Sequence, residues 1–120
     1  MTKQEFTEEV VKKILAEIEG IWSTKGEAYA PDSTDRLSNF KEVGRQLGIT
    51  PMQTWGVYFT KHRIAVESFI KRGCKDLPGD EPIEGRILDC IVYLFLLRGL
   101  VLEQRQRHQL NDAHLEEAKS

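Results

Sequence analysis

Hydrophobic residues are most concentrated late in the chain, between residues 87 and 102. This run is apolar on nearly every face of a helix, and such a helix is usually buried on nearly all sides. A membrane span needs about 20 uncharged residues, whereas this run carries Asp89 and Arg98. We therefore predict a core helix that begins at residues 80–82 and continues to about Arg107.

Three amphipathic helices are predicted ahead of this one. In each, apolar residues recur at steps of three and four, which is the spacing of one helix face. A glycine follows each of them, at a position where a left-handed residue can end a helix. The predicted ranges, with the glycines that end them, are residues 3–24 with Gly26, 35–47 with Gly48, and 51–72 with Gly73.

Two local signals sharpen this prediction. Thr50 is placed as the N-cap of the third helix, Pro51 occupies its first position, and Gln53 completes a capping box. In the second helix, Gly44 adjoins the apolar stripe, and its missing side chain would let another helix approach closely. The cap predicts where a helix begins, and the glycine predicts where two helices meet.

We predict a single all-α domain over residues 1–120, a bundle of four main helices with a central, apolar C-terminal helix. Residues 103–120 form a polar tail that either frays or extends the last helix. A chain of this length is large enough for one sizeable core. Four helices of this size leave part of the central helix uncovered, so we also expect a homodimer or a higher oligomer.

The charge composition argues against one class of partner. Charged residues make up 30% of the chain, yet the formal net charge is only -2, whereas nucleic-acid-binding surfaces are usually strongly basic.

The cysteines Cys74 and Cys90 lack the spacing of a metal site, and Cys90 is expected as a buried free thiol. Since the start of the chain has no apolar signal core, we expect a reduced, cytoplasmic protein without a membrane partner.

Asp89 stands inside the apolar run and needs a partner, because burying a lone carboxylate is costly. Three interpretations remain open: an ion pair with Arg86 or another basic residue, coordination of Mg²⁺, or hydrogen bonds from a ligand. His62 falls on the aromatic face of the third helix, as a core residue or a ligand contact. If the third and fourth helices are antiparallel neighbours, His62 and Asp89 can approach one another.

Cationic and aromatic residues in the middle of the chain form a second candidate site, with the loop at residues 25–34 as one rim. The cations would hold phosphates, while Tyr29, Trp55 or Tyr58 would stack on a base. The phosphate-binding candidates are Lys25, Arg36, Lys41, Lys61 and Arg63. The sequence contains no Gly-x-x-x-x-Gly-Lys-Ser/Thr loop, no Gly-x-Ser-x-Gly elbow and no His-Glu-x-x-His motif.

Several short motifs resemble those of a known family. They are Lys-Gly-Glu-Ala-Tyr-Ala at residues 25–30, Asp-Arg-Leu-Ser-Asn-Phe-Lys at residues 35–41, Lys61-His62, and the set Glu84, Arg86, Asp89 and Tyr93. In this pattern the chain resembles small bacteriophage proteins that look similar to the nucleotide-modification-associated domain 1 family. It is more distantly similar to the all-α, MazG-like nucleoside triphosphate pyrophosphohydrolases. The resemblance extends from residue 25 to residue 103.

The resemblance implies a nucleotide ligand and a phage-infected bacterium, hence the host cytoplasm, as the setting. Together with the cationic residues, it predicts ligand contacts from Lys25, Tyr29, Arg36, Asn39, Lys41, Lys61 and His62. The pyrophosphohydrolases hold Mg²⁺ with Glu-x-x-Glu and Glu-x-x-Asp pairs on successive helices, for which the nearest matches here are Glu67 and Asp89. The second carboxylates are missing, since residue 86 is arginine and residues 64 and 70 are isoleucine.

Three functions remain open on this basis. The first is a phage nucleotide-binding protein that acts as a Mg²⁺-dependent pyrophosphohydrolase, with Glu67 and Asp89 on the metal. The second is a non-catalytic accessory protein that sequesters a nucleotide signal, or that binds and inhibits a host defence protein. The third is an adaptor in which Asp89 and His62 are structural. The missing carboxylates favour nucleotide binding over catalysis.

Overall fold

The computed structural model describes residues 1–29 and 34–119, apart from the side chains of residues 24–29. This part of the chain forms four helices and no strand. Helix α1 has three consecutive segments, the α-helical turn Lys3–Phe6, the π-helical turn Thr7–Val11 and the α-helix Lys12–Tyr29. Helices α2, α3 and α4 are Ser38–Leu47, Pro51–Lys71 and Ile83–Lys119. The prediction of an all-α fold is confirmed.

Both ends of α3 follow from its sequence. At the start, the Thr50 hydroxyl accepts a hydrogen bond from the Gln53 amide (3.1 Å), and the Gln53 side chain accepts one from the Thr50 amide (2.9 Å). This is the predicted capping box. At the end, Gly73 takes a left-handed conformation (φ 77°), and the Cys74 amide donates to the Phe69 carbonyl at 3.0 Å. That bond belongs to a Schellman motif, which satisfies carbonyls at the helix end.

Two predicted helix ends were wrong. Helix α1 continues through Gly26 to Tyr29, because a glycine ends a helix only where the backbone turns there. Helix α2 begins at Ser38 rather than Asp35. The Asp35 carboxylate instead accepts a hydrogen bond from the Leu37 amide (2.9 Å), which holds residues 35–37 in a turn. Helix α4 begins at Ile83 and continues to Lys119, so the polar tail extends the helix, as one of the two predictions had it.

The core lies between α2, α3 and α4. Helix α3 packs extensively on α4 and on α2, whereas α1 contacts α4 over a smaller area. Leu37, Phe40 and Leu100 form the buried centre of this core. Partly buried side chains surround them, namely Met52, Trp55, Tyr93 and Leu96. The short helix α2 is therefore anchored in the groove between the two long helices.

Two contacts hold the helices at this spacing. A side chain on Gly44 would come within 2.8 Å of the Ile49 carbonyl and 3.0 Å of the Thr54 hydroxyl, so only glycine allows this approach of α2 to α3. The predicted close approach at Gly44 is confirmed. Between α3 and α4, the Trp55 indole N–H donates to the backbone carbonyl of Tyr93 at 2.6 Å. This bond fixes α3 against the middle of α4.

The central helix is buried on one side and exposed on the other within the single chain. Val92 and Leu100 are buried, and Cys90, expected inside the core, is half-buried. Large side chains on the other side of α4 are 41–57% exposed, namely Ile87, Leu94, Phe95 and Leu102. Helices α1, α2 and α3 cover only part of the surface of α4, so the prediction that four helices of this size leave part of the central helix uncovered is confirmed. None of the described helices is long and apolar enough to cross a membrane.

Candidate functional site

A cavity of about 450 Å³ opens between the four helices. Its volume lies within the range of small-molecule sites, about 300–1,000 Å³. The lining side chains are Ile21 and Trp22 from α1, Arg36 before α2, Asn39, Phe40 and Val43 from α2, Tyr58, Lys61 and His62 from α3, and Asp89, Val92, Tyr93 and Leu96 from α4. Arg36, Asn39, Lys61, His62 and Asp89, which are separate in sequence, thus meet at one place.

Aromatic rings form one wall of the cavity. Phe40 packs edge-on against both Tyr58 and Tyr93, with 6.2 Å between ring centroids in each pair. The His62 ring lies 4.5 Å from the Tyr93 ring, tilted by 40°. Side chains that lock one another in this way present fixed ring faces, and a flat heterocycle can pack against them without reordering the wall.

Two cations line the cavity, one from the turn before α2 and one from α3. The Arg36 guanidinium lies over the Trp22 ring, 5.0 Å from its centroid, and Trp22 in turn stacks on Phe95 of α4 at 6.2 Å. Lys61 projects from α3 and is exposed. Within the described part of the chain, no ion pair involves Arg36 or Lys61. Both charges are therefore available to an anion in the cavity.

His62 and Asp89 face each other across α3 and α4. The Nδ1 atom of His62 lies 3.7 Å from an Oδ2 oxygen of Asp89, so the predicted approach of the two residues is confirmed. This distance is too long for a direct hydrogen bond. Asp89 was expected to be buried, but its side chain is 40% exposed, because the cavity opens beside it. Arg86, the alternative partner, donates to Asp80 at 2.7 Å instead.

Lys41 does not line the cavity, although it was predicted as a ligand contact. Its ammonium group donates to Asp35 at 2.6 Å and lies 2.5 Å from Glu103 of α4. The hydrogen bond from Lys41 lowers the pKa of Asp35, and the same bond, followed by the bond to Glu103, raises the pKa of Lys41. This ion cluster ties the turn before α2 to α4. Because Arg36 follows Asp35 directly in the chain, this ion cluster also positions Arg36 at the cavity.

We expect Lys41→Met to lower the free energy of unfolding by about 0.5–1 kcal/mol at neutral pH, the usual range for partly exposed ion pairs. The pKa of Asp35 is lowered in the folded state, so this stabilisation is present above the unfolded value of about 3.9. It disappears as the pH falls through the lower, folded value. The pKa of Lys41 is raised, so its stabilisation is present below about 10.4 and disappears at higher pH.

Urea unfolding of both proteins at neutral pH and in strong acid measures this effect. Lys13→Met is the control, because it removes an ion pair with Glu9 in which both side chains are at least 60% exposed. A Lys41→Met difference that stays the same in strong acid would contradict the assignment.

The structure does not bring Glu67 to the cavity with Asp89. The Glu67 carboxylate accepts a hydrogen bond from Arg63 at 2.7 Å on the exposed side of α3. Among the residues that the structure describes, no three His, Cys, Asp or Glu side chains are grouped so that they could hold a metal ion. These residues do not fit the two carboxylate pairs that the family resemblance implies for Mg²⁺, which prefers several oxygen ligands.

The sequence did not predict Trp22 as a site residue, and two predicted contacts have side chains outside the described residues. Trp22 was read only as part of the apolar stripe of the first helix, yet it lines the cavity and supports Arg36. Its role depends on how α1 docks on α4, which no local pattern reveals. The predicted contacts Lys25 and Tyr29 have side chains outside the described part of the structure.

Among the residues that the structure describes, the cavity combines ring faces, two available cations and one partly exposed carboxylate beside an imidazole. Such a set of groups can hold a planar ring and an anionic group of the same ligand. Burial raises the pKa of the half-buried Cys90 thiol, with a smaller contribution from Asp89. Comparison with protein-family models, with curated proteins and with solved structures finds no match to this chain.

Proposed function

We propose that this protein binds a nucleotide in the cavity between its four helices. The observation that carries this proposal is the meeting of Arg36 and Lys61 with aromatic rings from four helices around one cavity. A nucleotide needs both features, because its phosphates require fixed positive charge and its base requires flat apolar surface. The resemblance of residues 25–103 to nucleotide-modification-associated phage proteins supports the same ligand class.

Each group has a part in this proposal. The base packs against Tyr58 and Tyr93, while the phosphates approach Arg36 and Lys61. Arg36 suits a phosphate because its planar guanidinium offers parallel N–H donors and is oriented by Trp22. Asp89 accepts hydrogen bonds from the base or the sugar.

Binding without turnover is the form that these residues favour. Among the described side chains that line the cavity, Asp89 is the only carboxylate, and Glu67 is engaged with Arg63. A protein of this kind would sequester a nucleotide or a nucleotide-derived signal in the infected cell. The alternative, hydrolysis of a nucleoside triphosphate, predicts release of pyrophosphate or phosphate.

We expect a panel of nucleotides to contain members that raise the melting temperature in a saturable way, in EDTA as well as in Mg²⁺. A ligand at one hundred times its dissociation constant stabilises the folded state by about 2.7 kcal/mol. Differential scanning fluorimetry with mono-, di- and triphosphates of each base measures this, and isothermal titration calorimetry gives the affinity.

The controls separate the two halves of the ligand. A nucleoside without phosphate and pyrophosphate without a base should each bind far more weakly than the intact nucleotide. If no member of the panel shifts the melting temperature at millimolar concentration, the proposal is wrong. A pyrophosphate-release assay on the nucleotides that bind then distinguishes storage from hydrolysis.

A further inference from the structure

Helix α4 carries a mainly apolar stripe on the side that faces away from the core, with exposed Arg98 within it. Ile87, Leu94 and Leu102 are 41%, 48% and 57% exposed. At 3.6 residues per turn these three side chains lie within about 80° of one another. Val92 and Leu100, the buried residues of α4, lie on the opposite side of the helix. Half-buried Ile91 fills the stripe between Ile87 and Leu94.

The single chain exposes more surface than a compact protein of its mass. Its accessible area is 9205 Å², whereas a folded monomer of 13.8 kDa exposes about 6,600 Å². Its radius of gyration is 18.6 Å, against about 13.6 Å for a compact domain of 120 residues. The surplus of about 2,600 Å² is spread over the whole chain, including the exposed residues 104–119 of α4, and it exceeds the roughly 800 Å² that one partner contributes to a standard stable interface.

We propose that the α4 stripe is the interface of a homodimer, in which the α4 helices of two copies pack against each other in opposite directions. A second copy fits because a two-fold interface pairs a patch with itself, and an apolar stripe is self-complementary. The exposed surplus per chain is large enough for such an interface, and the contact would bury the part of α4 that α1, α2 and α3 leave uncovered.

The charges beside the stripe select the antiparallel direction. Exposed Glu84 lies beyond one end of the stripe and exposed Arg105 beyond the other, equally far from its midpoint between Leu94 and Phe95. In an antiparallel pair each Glu84 faces the Arg105 of the second copy. A parallel pair would place Glu84 beside Glu84 and Arg98 beside Arg98, and like charges at an interface disfavour association.

The first test is the oligomeric state of the full chain. Sedimentation equilibrium at micromolar concentrations should give twice the chain mass of 13.8 kDa. Leu94→Glu should shift the protein to the mass of one chain. The matched control Val57→Glu introduces the same charge at a 63% exposed apolar position on α3, away from the stripe, and should remain dimeric. A monomeric wild type, or a dimer that survives Leu94→Glu, overturns the proposal.

The second test fixes the direction and remains decisive if Leu94→Glu fails to fold. In a background with Cys74→Ser and Cys90→Ser, the pair Glu84→Cys and Arg105→Cys in one chain should give disulfide-linked dimers on mild oxidation. These positions are 21 residues apart, about 31 Å along the helix, so they cannot bridge within one chain. Each single cysteine should give little product. Efficient linkage by the single variants indicates a parallel pair, and no linkage by any of them indicates another interface; either result overturns the proposal.

Discussion

Replacing Phe40 by alanine is expected to lower the free energy of unfolding by about 3–5 kcal/mol. Phe40 is 6% exposed and sits between Leu37 and Leu100 at the centre of the core. It also packs edge-on against Tyr58 and Tyr93, the rings that form the cavity wall. Truncation would therefore remove buried apolar area and leave a void where α2 meets both long helices. The shift in the urea midpoint at unchanged slope measures this loss.

Phe6→Ala is the matched control, because it makes the same chemical change at a side chain that is 51% exposed in α1. An exposed substitution of this kind usually changes stability by less than about 0.5 kcal/mol. Similar losses in the two variants would mean that the core is not centred on Phe40. Phe40→Leu keeps most of the buried volume and should recover a large part of the stability lost in the alanine variant.

The second large effect concerns ligand affinity and rests on the proposed nucleotide site. Arg36→Ala and Lys61→Ala should each weaken binding by about 10- to 150-fold, because a hydrogen bond to a charged group contributes about 1.5–3 kcal/mol. The double variant should lose binding to the level of a nucleoside without phosphate. Titration calorimetry with the nucleotide that gives the largest thermal shift measures these affinities.

Two further variants make the result specific. Arg45→Ala removes a nearby cation of α2 that pairs with Glu42 and does not line the cavity, so it should leave the affinity unchanged. Arg36→Lys keeps the charge but loses the planar donor pair and much of the stacking on Trp22, and it should restore only part of the affinity. If Arg45→Ala weakens binding as much as Arg36→Ala, the effect comes from net charge and the site is placed wrongly.

The fold was predictable where local signals acted alone. The capping box of Thr50 and Gln53 and the glycine at position 73 set the ends of α3 within one residue. The predicted helix ends were wrong where a hydrogen bond that the residue pattern does not reveal decides the end. The turn at residues 35–37 depends on the Asp35 carboxylate, which also binds Lys41, and no residue pattern distinguishes this use of Asp35 from an N-cap.

The sequence predicted the types of residue at the candidate site better than it predicted which individual residues line it. Arg36, Asn39, Lys61, His62 and Asp89 were all expected at a site, and the cavity brings them together. Lys41 carries the same charged group as Lys61, and Glu67 carries a carboxylate as Asp89 does. Neither lines the cavity, because Lys41 pairs with Asp35 and Glu67 pairs with Arg63. A charged side chain joins a site or a structural ion pair according to its neighbours in space, and sequence spacing does not fix those neighbours.

By itself, the sequence determined the four helices, the aromatic face of α3 and the need of Gly44 for a close neighbour, because periodicity, caps and side-chain size act over a few residues. Only the tertiary structure decided that Trp22 supports Arg36, that His62 stands opposite Asp89, and that α4 is covered on one side only. The physical reason is that these contacts depend on how helices far apart in the chain dock on one another. A helix that is apolar on nearly every face predicts that most of its surface is buried. How much of that surface is buried within one chain depends on how the neighbouring helices dock on it.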